Sequence, residues 1–532
     1  MTHILALEKV SPAGIEALRA VPGFEIQELY QDDPEAVRSA LATAEALIVR
    51  SKTKVTGAFL EQAPQLKVIG RPGTGVDNVD VKAATARGIV VMNTPAGNSI
   101  SAAEHALGLM FALLRKIPMA NNSMKDGKWE KSKFMGAELY NKVLGVVGLG
   151  KIGSEVAKRA QGFKVRILVY DPFVSEDAAR DQNVTLVSKE ELFAQSDIIT
   201  LHTPLTQETR KMINATSIAG MKNGAYIVNA ARGDLIDEKA FVEALKSGKL
   251  AGAALDVFTG EPKPNPELIA LPNVIATPHI AASTFEAQEK VGYDIALQIR
   301  DFFQEGVVRN AVNFPSVSQT EYRGIAPYLD LGKKLGALLT QLSQGRMQEI
   351  EVRYFGELKD MNTHLICTYI LAGALQPVMA EPVTPVNALQ TSKDRGIHFV
   401  ESSSGSPRNY SSLISVKLIT DKGREWAEGT VIHHSLPRLV SLYGIGIDAP
   451  LSGDMLVIRN EDTPGVIGGV GTILGKNKIN IANFAYGRKE ETHEAIGVAN
   501  VDSAIPKAVL EEIRALQQIS KASIVSVTGL NE

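Results

Sequence analysis

Cysteine is almost missing from this chain: one residue, Cys367, in 532. A single thiol forms no internal disulfide, and it excludes cysteine-based zinc fingers and iron–sulfur clusters. It fits a reducing compartment, so a cytoplasmic protein is expected. A surplus of either charge is missing too. Lys and Arg number 56 against 59 Asp and Glu, a formal charge of −3, which argues against nucleic acid or an anionic membrane surface as partner. No apolar run approaches the roughly 20 residues a spanning helix needs; Leu107–Leu114 is among the longest. The opening MTHILALEKVSP reaches Glu8 and Lys9 after a few apolar residues, unlike a secretory leader. What is present is ordinary globular composition, 45% apolar and 22% charged, which excludes bulk disorder. At roughly 100–200 residues per domain the length predicts three or four domains.

Residues 1–100 alternate short apolar runs (Ile4–Leu7, Ala46–Val49, Val68–Gly70, Ile89–Met92) with helix-like stretches at Pro12–Ala20 and Pro34–Ala42. That alternation predicts parallel βαβ units. The segment 101–116 reads as a helix apolar on most sides through Ala103, Leu107, Met110, Phe111 and Leu114. It is expected to be buried, in a core or, by preference, at a subunit interface. From Lys142 the alternation resumes, with runs at Val143–Val147, Val165–Tyr170, Asp197–Leu201, Tyr226–Asn229, Ala253–Val257 and Val274–Ala276. Several are apolar throughout, as strands covered on both faces are. A long helix is predicted over 283–305, then a connector at 310–317. Residues 318–452 mix both element types with a polar turn-rich piece at 401–412. Residues 453–532 read as βαββαβ, a ferredoxin-like split motif.

The clearest motif is Gly148-x-Gly150-x-x-Gly153, directly after an apolar run and opening a helix. Gly148 makes the tight turn, Gly150 lets backbone approach a pyrophosphate, and Gly153 allows close helix–strand packing. The helix N-terminus offers free N–H groups to the phosphates. Asp171 closes the next strand, 18 residues after Gly153, placed to accept the adenosine ribose hydroxyls. No arginine follows in Tyr170–Val174, which favours NAD over NADP.

Three later segments, 228–237, 254–262 and 277–284, each follow a predicted parallel strand, where ligands of open α/β sheets bind. They carry Arg232, Asp256, Glu261 and His279. Oxidising a 2-hydroxy acid needs a group that takes the hydroxyl proton as hydride leaves, and an imidazole suits that role. Glu261 is expected to orient His279, Arg232 to clamp a substrate carboxylate, and Asp256 to contact the nicotinamide carboxamide or position its loop. His105 is expected at an interface or cap, and His202 beside the adenine. His364, His398, His433, His434 and His493 carry no supporting pattern.

The runs GRPGTGVDNVD, GLGKIG, NAARGDLIDE, DVFTGEP and PHIAAST resemble the D-isomer-specific 2-hydroxyacid dehydrogenase family, in its long, regulated form. The resemblance covers essentially the whole chain. It implies two doubly wound parallel-sheet domains, flavodoxin-like and Rossmann, with an α/β intervening domain and a βαββαβ ACT domain. The implied boundaries are 1–98 with 285–312 for substrate binding, 99–284 for NAD, 313–452 intervening and 453–532 ACT. Arg232, Glu261 and His279 take the catalytic positions. Thr74, Gly148, Gly150, Lys151, Ile152, Gly153, Asp171, Thr203, Ala230, Asp256, His279 and Ala282 take the NAD positions. The family often has cysteine where this chain has Ala230.

The implied substrate, 3-phosphoglycerate, carries two anionic ends and needs two cationic anchors. Arg232 serves one. Arg50, Lys52 and Lys131 are candidates for the other, Lys131 reaching across a dimer, while Asn98 sits at a hinge and touches substrate. In the ACT part, Asp462 precedes a Pro-Gly turn and a glycine-rich helix start, an arrangement able to hold an amino acid. L-serine is the implied effector, on Asn460, Asp462 and Asn480 across a paired ACT interface in a homo-oligomer, dimer or tetramer. No metal is expected. The rival readings are a dehydrogenase or reductase for another 2-hydroxy acid, and an NAD(H)-sensing corepressor-like binding protein.

Overall fold

The computed structural model describes residues 1–30 and 33–528. The first sheet holds β1 (Thr2–Ala6), β2 (Phe24–Glu28), β3 (Ala46–Ile48), β4 (Val68–Arg71) and β5 (Val90–Asn93), all parallel in the order β2-β1-β3-β4-β5. That is the flavodoxin-like doubly wound order. Both faces are covered, so Leu47, Ile48, Val68, Ile69 and Val91 are wholly buried and read as continuous apolar runs. β2 was not expected. Its FEIQE alternates half-buried and exposed residues at the sheet edge, a weaker pattern than the interior strands give.

The second sheet holds β6 (Val143–Val147), β7 (Arg166–Tyr170), β8 (Thr185–Leu186), β9 (Ile198–Leu201), β10 (Ala225–Asn229), β11 (Leu250–Leu255) and β12 (Val274–Ala276), in the order β12-β11-β10-β9-β6-β7-β8. Strand order reverses between β6 and β9, the switch point where such sheets bind ligands. Helix α1 (Ser99–Leu114) covers this sheet together with α2 (Lys151–Ala160). The interface expected for α1 is not needed to explain its apolar residues. Ala103, Ala106, Met110 and Leu113 pack in this unit's own core with Leu144, Val146, Val156 and Ala254.

Helix α3 (Phe285–Glu305) is capped by Thr284, whose hydroxyl accepts from Ala287 N–H, and stops at Gly306 with φ 70°, a left-handed C-terminal glycine. It returns to the first sheet, where Ile295, Ala296 and Ile299 pack with Ile4, Ala6 and Ile48. Gly14 and Gly292 make the approach possible, because a β-carbon on Gly14 would lie 2.5 Å from the Gly292 oxygen. The connector then stays on that sheet: Ala311 bridges Met92, and the Asn313 side chain accepts from Val91 N–H at 2.9 Å.

Helices α4 (Gln319–Leu342) and α5 (Thr363–Leu375) pack backbone to backbone at Gly336 and Gly373. They cover a six-stranded sheet of β13 (Met347–Gly356), β14 (His398–Ser404), β15 (Ser412–Thr420), β16 (Gly423–Ile432), β17 (Leu436–Leu442) and β18 (Ile445–Pro450), ordered β14-β13-β15-β16-β17-β18. The polar piece at 401–412 is therefore partly strand: Glu401–Ser404 complete the edge strand β14, parallel to β13. The last unit is an antiparallel sheet of β19 (Asp454–Glu461), β20 (Ile481–Lys489), β21 (Glu494–Val501) and β22 (Ile519–Ser526), ordered β20-β21-β19-β22, with helices α6 (Val466–Lys476) and α7 (Lys507–Arg514). The last two units share one core, in which Met455, Val457, Val498 and Val525 join Leu335, Leu338 and Leu439.

Candidate active site

The glycine loop between β6 and α2 has the geometry its spacing predicts. Gly148 adopts φ 91°, and a β-carbon there would lie 2.8 Å from the His202 oxygen. At Gly153 it would collide with the Gly148 carbonyl, whereas at Gly150 it would meet nothing within 4 Å. So Gly150 faces open space at the N-cap of α2, without a side-chain cap, and the first-turn amides of Lys151 and Ile152 are available to a phosphate. The Asp171 carboxylate accepts from Leu149 N–H at 2.8 Å and Phe173 N–H at 2.9 Å, which holds it against the loop. Thr203 reaches the same place, since the His202–Thr203 backbone packs on Gly148. These residues fit a dinucleotide. His202 itself turns inward, with Nε2 2.8 Å from the Thr200 hydroxyl. Burial pushes its imidazole down to about 4, so it is neutral.

His279 and Glu261 meet. His279 Nδ1 lies 2.7 Å from Glu261 Oε2, and Glu261 Oε1 accepts from Phe258 N–H at 2.9 Å. The Glu261 hydrogen bond raises the imidazole above its ordinary value, outweighing desolvation. Burial by itself would raise Glu261, but the hydrogen bonds from His279 and Phe258 hold its carboxyl low. Pairing at Nδ1 fixes the tautomer and leaves Nε2 for a substrate hydroxyl.

Asp256, fully buried, sets the backbone on the far side of His279. Its oxygens accept from Ile280 N–H and Ala281 N–H, both at 2.9 Å, and from the Thr277 hydroxyl at 2.6 Å. His105 Nε2 adds a contact at 3.2 Å. With these partners satisfied inside the protein, Asp256 acts as a loop holder, the second of its two expected roles. His105 supports that loop from within the chain. His279 itself has φ 55°, a left-handed conformation uncommon outside glycine, held by these flanking bonds. Ala282 continues the loop, its carbonyl accepting from Gln288 Nε2 at 2.8 Å.

Arg232 comes from the loop after β10. Buried Asn229 pins that loop, donating to the Arg232 carbonyl at 2.8 Å and accepting from Ala231 N–H at 3.0 Å; Ala230 lies between them. A β-carbon on Gly233 would collide with the Phe258 backbone, so the Arg232 and Glu261 loops are packed together. The guanidinium pairs with Asp77 at 3.0 Å.

Sequence reasoning missed a second cation here. Arg71 ends β4, its Nε buried without a partner. Burial, then the charge of Arg232, lowers it to about 10, and Arg50 adds to the effect. Arg71 and Arg232 thus stand near each other with Arg50 in electrostatic reach of Arg71, a cationic cluster that also holds the Asp77 carboxylate. Glycines clear its space, because β-carbons on Gly73 and Gly75 would collide with the Arg71 and Arg232 guanidiniums. The signal was present in GRPGTG: a cation at the end of a buried strand, followed by two glycines. Glu8 holds the Arg50–Lys52 turn, accepting from Arg50 N–H and Thr53 N–H at 2.9 Å and from Lys52 N–H at 3.3 Å. Thr74 and Asn98 touch, hydroxyl to Oδ1 at 2.7 Å. Lys131 sits on the exposed turn Lys131–Phe134, and no contact ties it to this cluster among the described residues.

In the last unit Asn460 is buried and donates to the Tyr486 hydroxyl at 2.8 Å, while its Oδ1 has no partner. Asp462 lies at the same end, 3.9 Å from Arg488. Asn480 donates to Asp502 at 2.6 Å. Strand register puts Glu461 level with Lys489 and Asp454 level with Ile481 through β21. Asn480 is therefore at the opposite end of the sheet from Asn460 and Asp462, about 25 Å away at strand rise. One chain does not bring the three together.

An open parallel sheet with a glycine loop at its switch point, facing an oriented histidine and an arginine cluster, defines an NAD-dependent dehydrogenase of hydroxy acids. Residues 107–281 match the family of the D-isomer specific 2-hydroxyacid dehydrogenase NAD binding domain. Residues 324–443 match the D-3-phosphoglycerate dehydrogenase intervening domain, and residues 455–518 match the ACT domain. The D-3-phosphoglycerate dehydrogenase of Bacillus subtilis is 40% identical, over 99% of this chain and 100% of that protein. That of Archaeoglobus fulgidus is 41% identical, over 98% and 100%. The solved D-lactate dehydrogenase of Aquifex aeolicus, complexed with NAD and lactic acid, is 30% identical with a TM-score of 0.52, over 59% of this chain and 100% of that one. The chain belongs to the D-3-phosphoglycerate dehydrogenase family.

Proposed function

We propose that the protein oxidises 3-phospho-D-glycerate to 3-phosphohydroxypyruvate with NAD, opening L-serine biosynthesis, and that L-serine restrains it. The observation that carries the substrate assignment is the arginine cluster. Arg232 lies near enough to His279 to act on its charge, and Arg232 and Arg50 both act on the charge of Arg71. A carboxylate on Arg232 and a phosphate toward Arg50, Arg71 and Lys52 would place the hydroxyl carbon at His279. His279 Nε2 takes the hydroxyl proton, and Glu261 stabilises the imidazolium that results. Arg232 trades its Asp77 partner for the substrate and polarises the forming carbonyl. NAD, when bound, supplies the hydride acceptor; Gly150, Lys151 and Ile152 would hold its pyrophosphate and Asp171 its ribose. Asn98, bonded to Thr74, places substrate and cofactor contacts on one hinge.

Serine would sit on Asn460 and Asp462 of one chain and Asn480 of a second, because only an antiparallel pair of ACT sheets closes the distance between them. That site presumes a homo-oligomer. Exposed Met124, Trp129 and Met135 offer apolar surface for a second copy, which would also carry Lys131 toward the cluster. No helix among the described residues is long and apolar enough to cross a membrane; a reducing cytoplasm suits the buried free thiol of Cys367. The test follows NADH formation from 3-phosphoglycerate by the full chain while L-serine is titrated. NADH formation that serine suppresses is expected. No NADH overturns the substrate, and a rate indifferent to serine overturns the regulation.

A further inference from the structure

Away from the dehydrogenase site, one group of side chains combines three kinds of metal-ligating atom. His364 and Cys367 stand one turn apart on α5, and Glu401 projects from the edge strand β14. An imidazole nitrogen, the thiol sulfur and a carboxylate oxygen of these residues all lie within 4.8 Å of one another. Residues three apart on a helix share a face, so the helix presents His364 and Cys367 together to the strand. We propose that His364, Cys367 and Glu401 form a binding site for a divalent ion of the zinc class, which fastens β14 to α5.

Cys367 is fully buried, while His364 and Glu401 are exposed. The sulfur thus lies beneath two exposed ligand side chains, whose rotation would admit an ion. Tyr354, also wholly buried, donates to the Thr363 carbonyl at 3.2 Å at the start of α5. Tetrahedral ligation at about 2.0–2.3 Å sets ligand atoms about 3.3–3.7 Å apart. The rotamers of the two exposed side chains supply the remaining closure. Sulfur with imidazole selects zinc-class ions over magnesium or calcium, which prefer all-oxygen shells.

Ligation replaces the S–H bond with a sulfur–metal bond, and one proton leaves to solvent. Three protein ligands leave a fourth position for water. The arrangement has a structural use: β14 is bonded only to β13 in its sheet, and most of its residues are exposed. An ion would add a bond from this strand to α5.

The test titrates the full-length, chelator-treated protein with Zn²⁺ and with Co²⁺ as the spectroscopic probe. One tight equivalent per chain is expected, with the near-ultraviolet thiolate-to-cobalt charge-transfer band and a higher melting temperature in Zn²⁺ but not Mg²⁺. Cys367→Ser should abolish the band. Glu401→Gln and His364→Gln, at exposed positions that leave the fold intact, should weaken Co²⁺ binding at least tenfold without changing turnover of 3-phosphoglycerate. No charge-transfer band in the unaltered protein overturns the proposal. So does Co²⁺ affinity unchanged in both Glu401→Gln and His364→Gln.

Discussion

The pairing of His279 with Glu261 gives the site a definite pH response. The imidazole is raised by its carboxylate partner, and it must be neutral to accept the substrate proton. Oxidation should therefore rise with pH through a value above about 6.5, the ordinary figure for histidine. In Glu261→Gln the raising partner is gone. The acid limb of kcat/KM should move to lower pH while the plateau falls, and an acid limb that stays in place would contradict the pairing. His279→Ala should lower kcat about 10²–10⁴-fold with NAD affinity and melting temperature retained. Gly75→Ala tests the arginine cluster, since a methyl group there would occupy the space of the Arg232 guanidinium. It should raise KM for 3-phosphoglycerate and leave the Kd for NAD alone. At this scale the sequence is readable where the chemistry demands a residue type beside a ligand: Arg232, Glu261, His279 and the three loop glycines all stand out. Arg71, Asp77 and His105 act through partners 100 or more residues distant or across loops, and spacing along the chain does not encode those meetings.

Elements place these residues by gripping their loops. Asp256 follows β11 and fastens the loop after β12 through Ile280 N–H, Ala281 N–H and the Thr277 hydroxyl. Removing it strands buried donors, each costing about 1–3 kcal/mol. Asp256→Ala should lower stability by about 2–4 kcal/mol in denaturant unfolding, and lower kcat through a misplaced His279. A stability unchanged within error would deny Asp256 its holding role. Interior strands were legible because burial on both faces leaves continuous apolar runs. Of the four edge strands in the two parallel sheets, β5 and β12 were legible as apolar runs but two were not: β2 alternates half-buried with exposed residues, and β8 has only two residues. Helix α1 read as buried because it is apolar on most sides, and within this chain its own sheet and α2 bury Ala103, Ala106, Met110 and Leu113. Hydropathy reports that a surface is buried, not which surface buries it.

Over the whole molecule, the proposed hydride-transfer residues all precede residue 283, and the last two units share one core. Their common core is reinforced at its rim, where Gln341 of α4 both donates to Ser526 O and accepts from Ser526 N–H at 2.9 Å. Lys521 meets the Leu342 carbonyl at 2.8 Å and Glu425 at 3.1 Å. Truncation after residue 452 should expose Leu335, Leu338 and Leu439 and yield an aggregating protein, as light scattering would record; a monodisperse truncated chain would contradict the shared core. The sequence separated these units by their element patterns. It did not reveal the fusion, because residues of α4 and of the last sheet, far apart along the chain, complete the same apolar surface. The central claim is that the cationic cluster selects a phosphorylated hydroxy acid. Its most direct test compares kcat/KM for 3-phospho-D-glycerate with that for D-glycerate, in the unaltered protein and in Arg71→Ala. With one charged hydrogen-bonding pair contributing about 1.5–3 kcal/mol, the phosphorylated substrate should be preferred by about 10–100-fold or more, and Arg71→Ala should erase most of that preference. Equal use of the two acids by the unaltered protein would contradict the account.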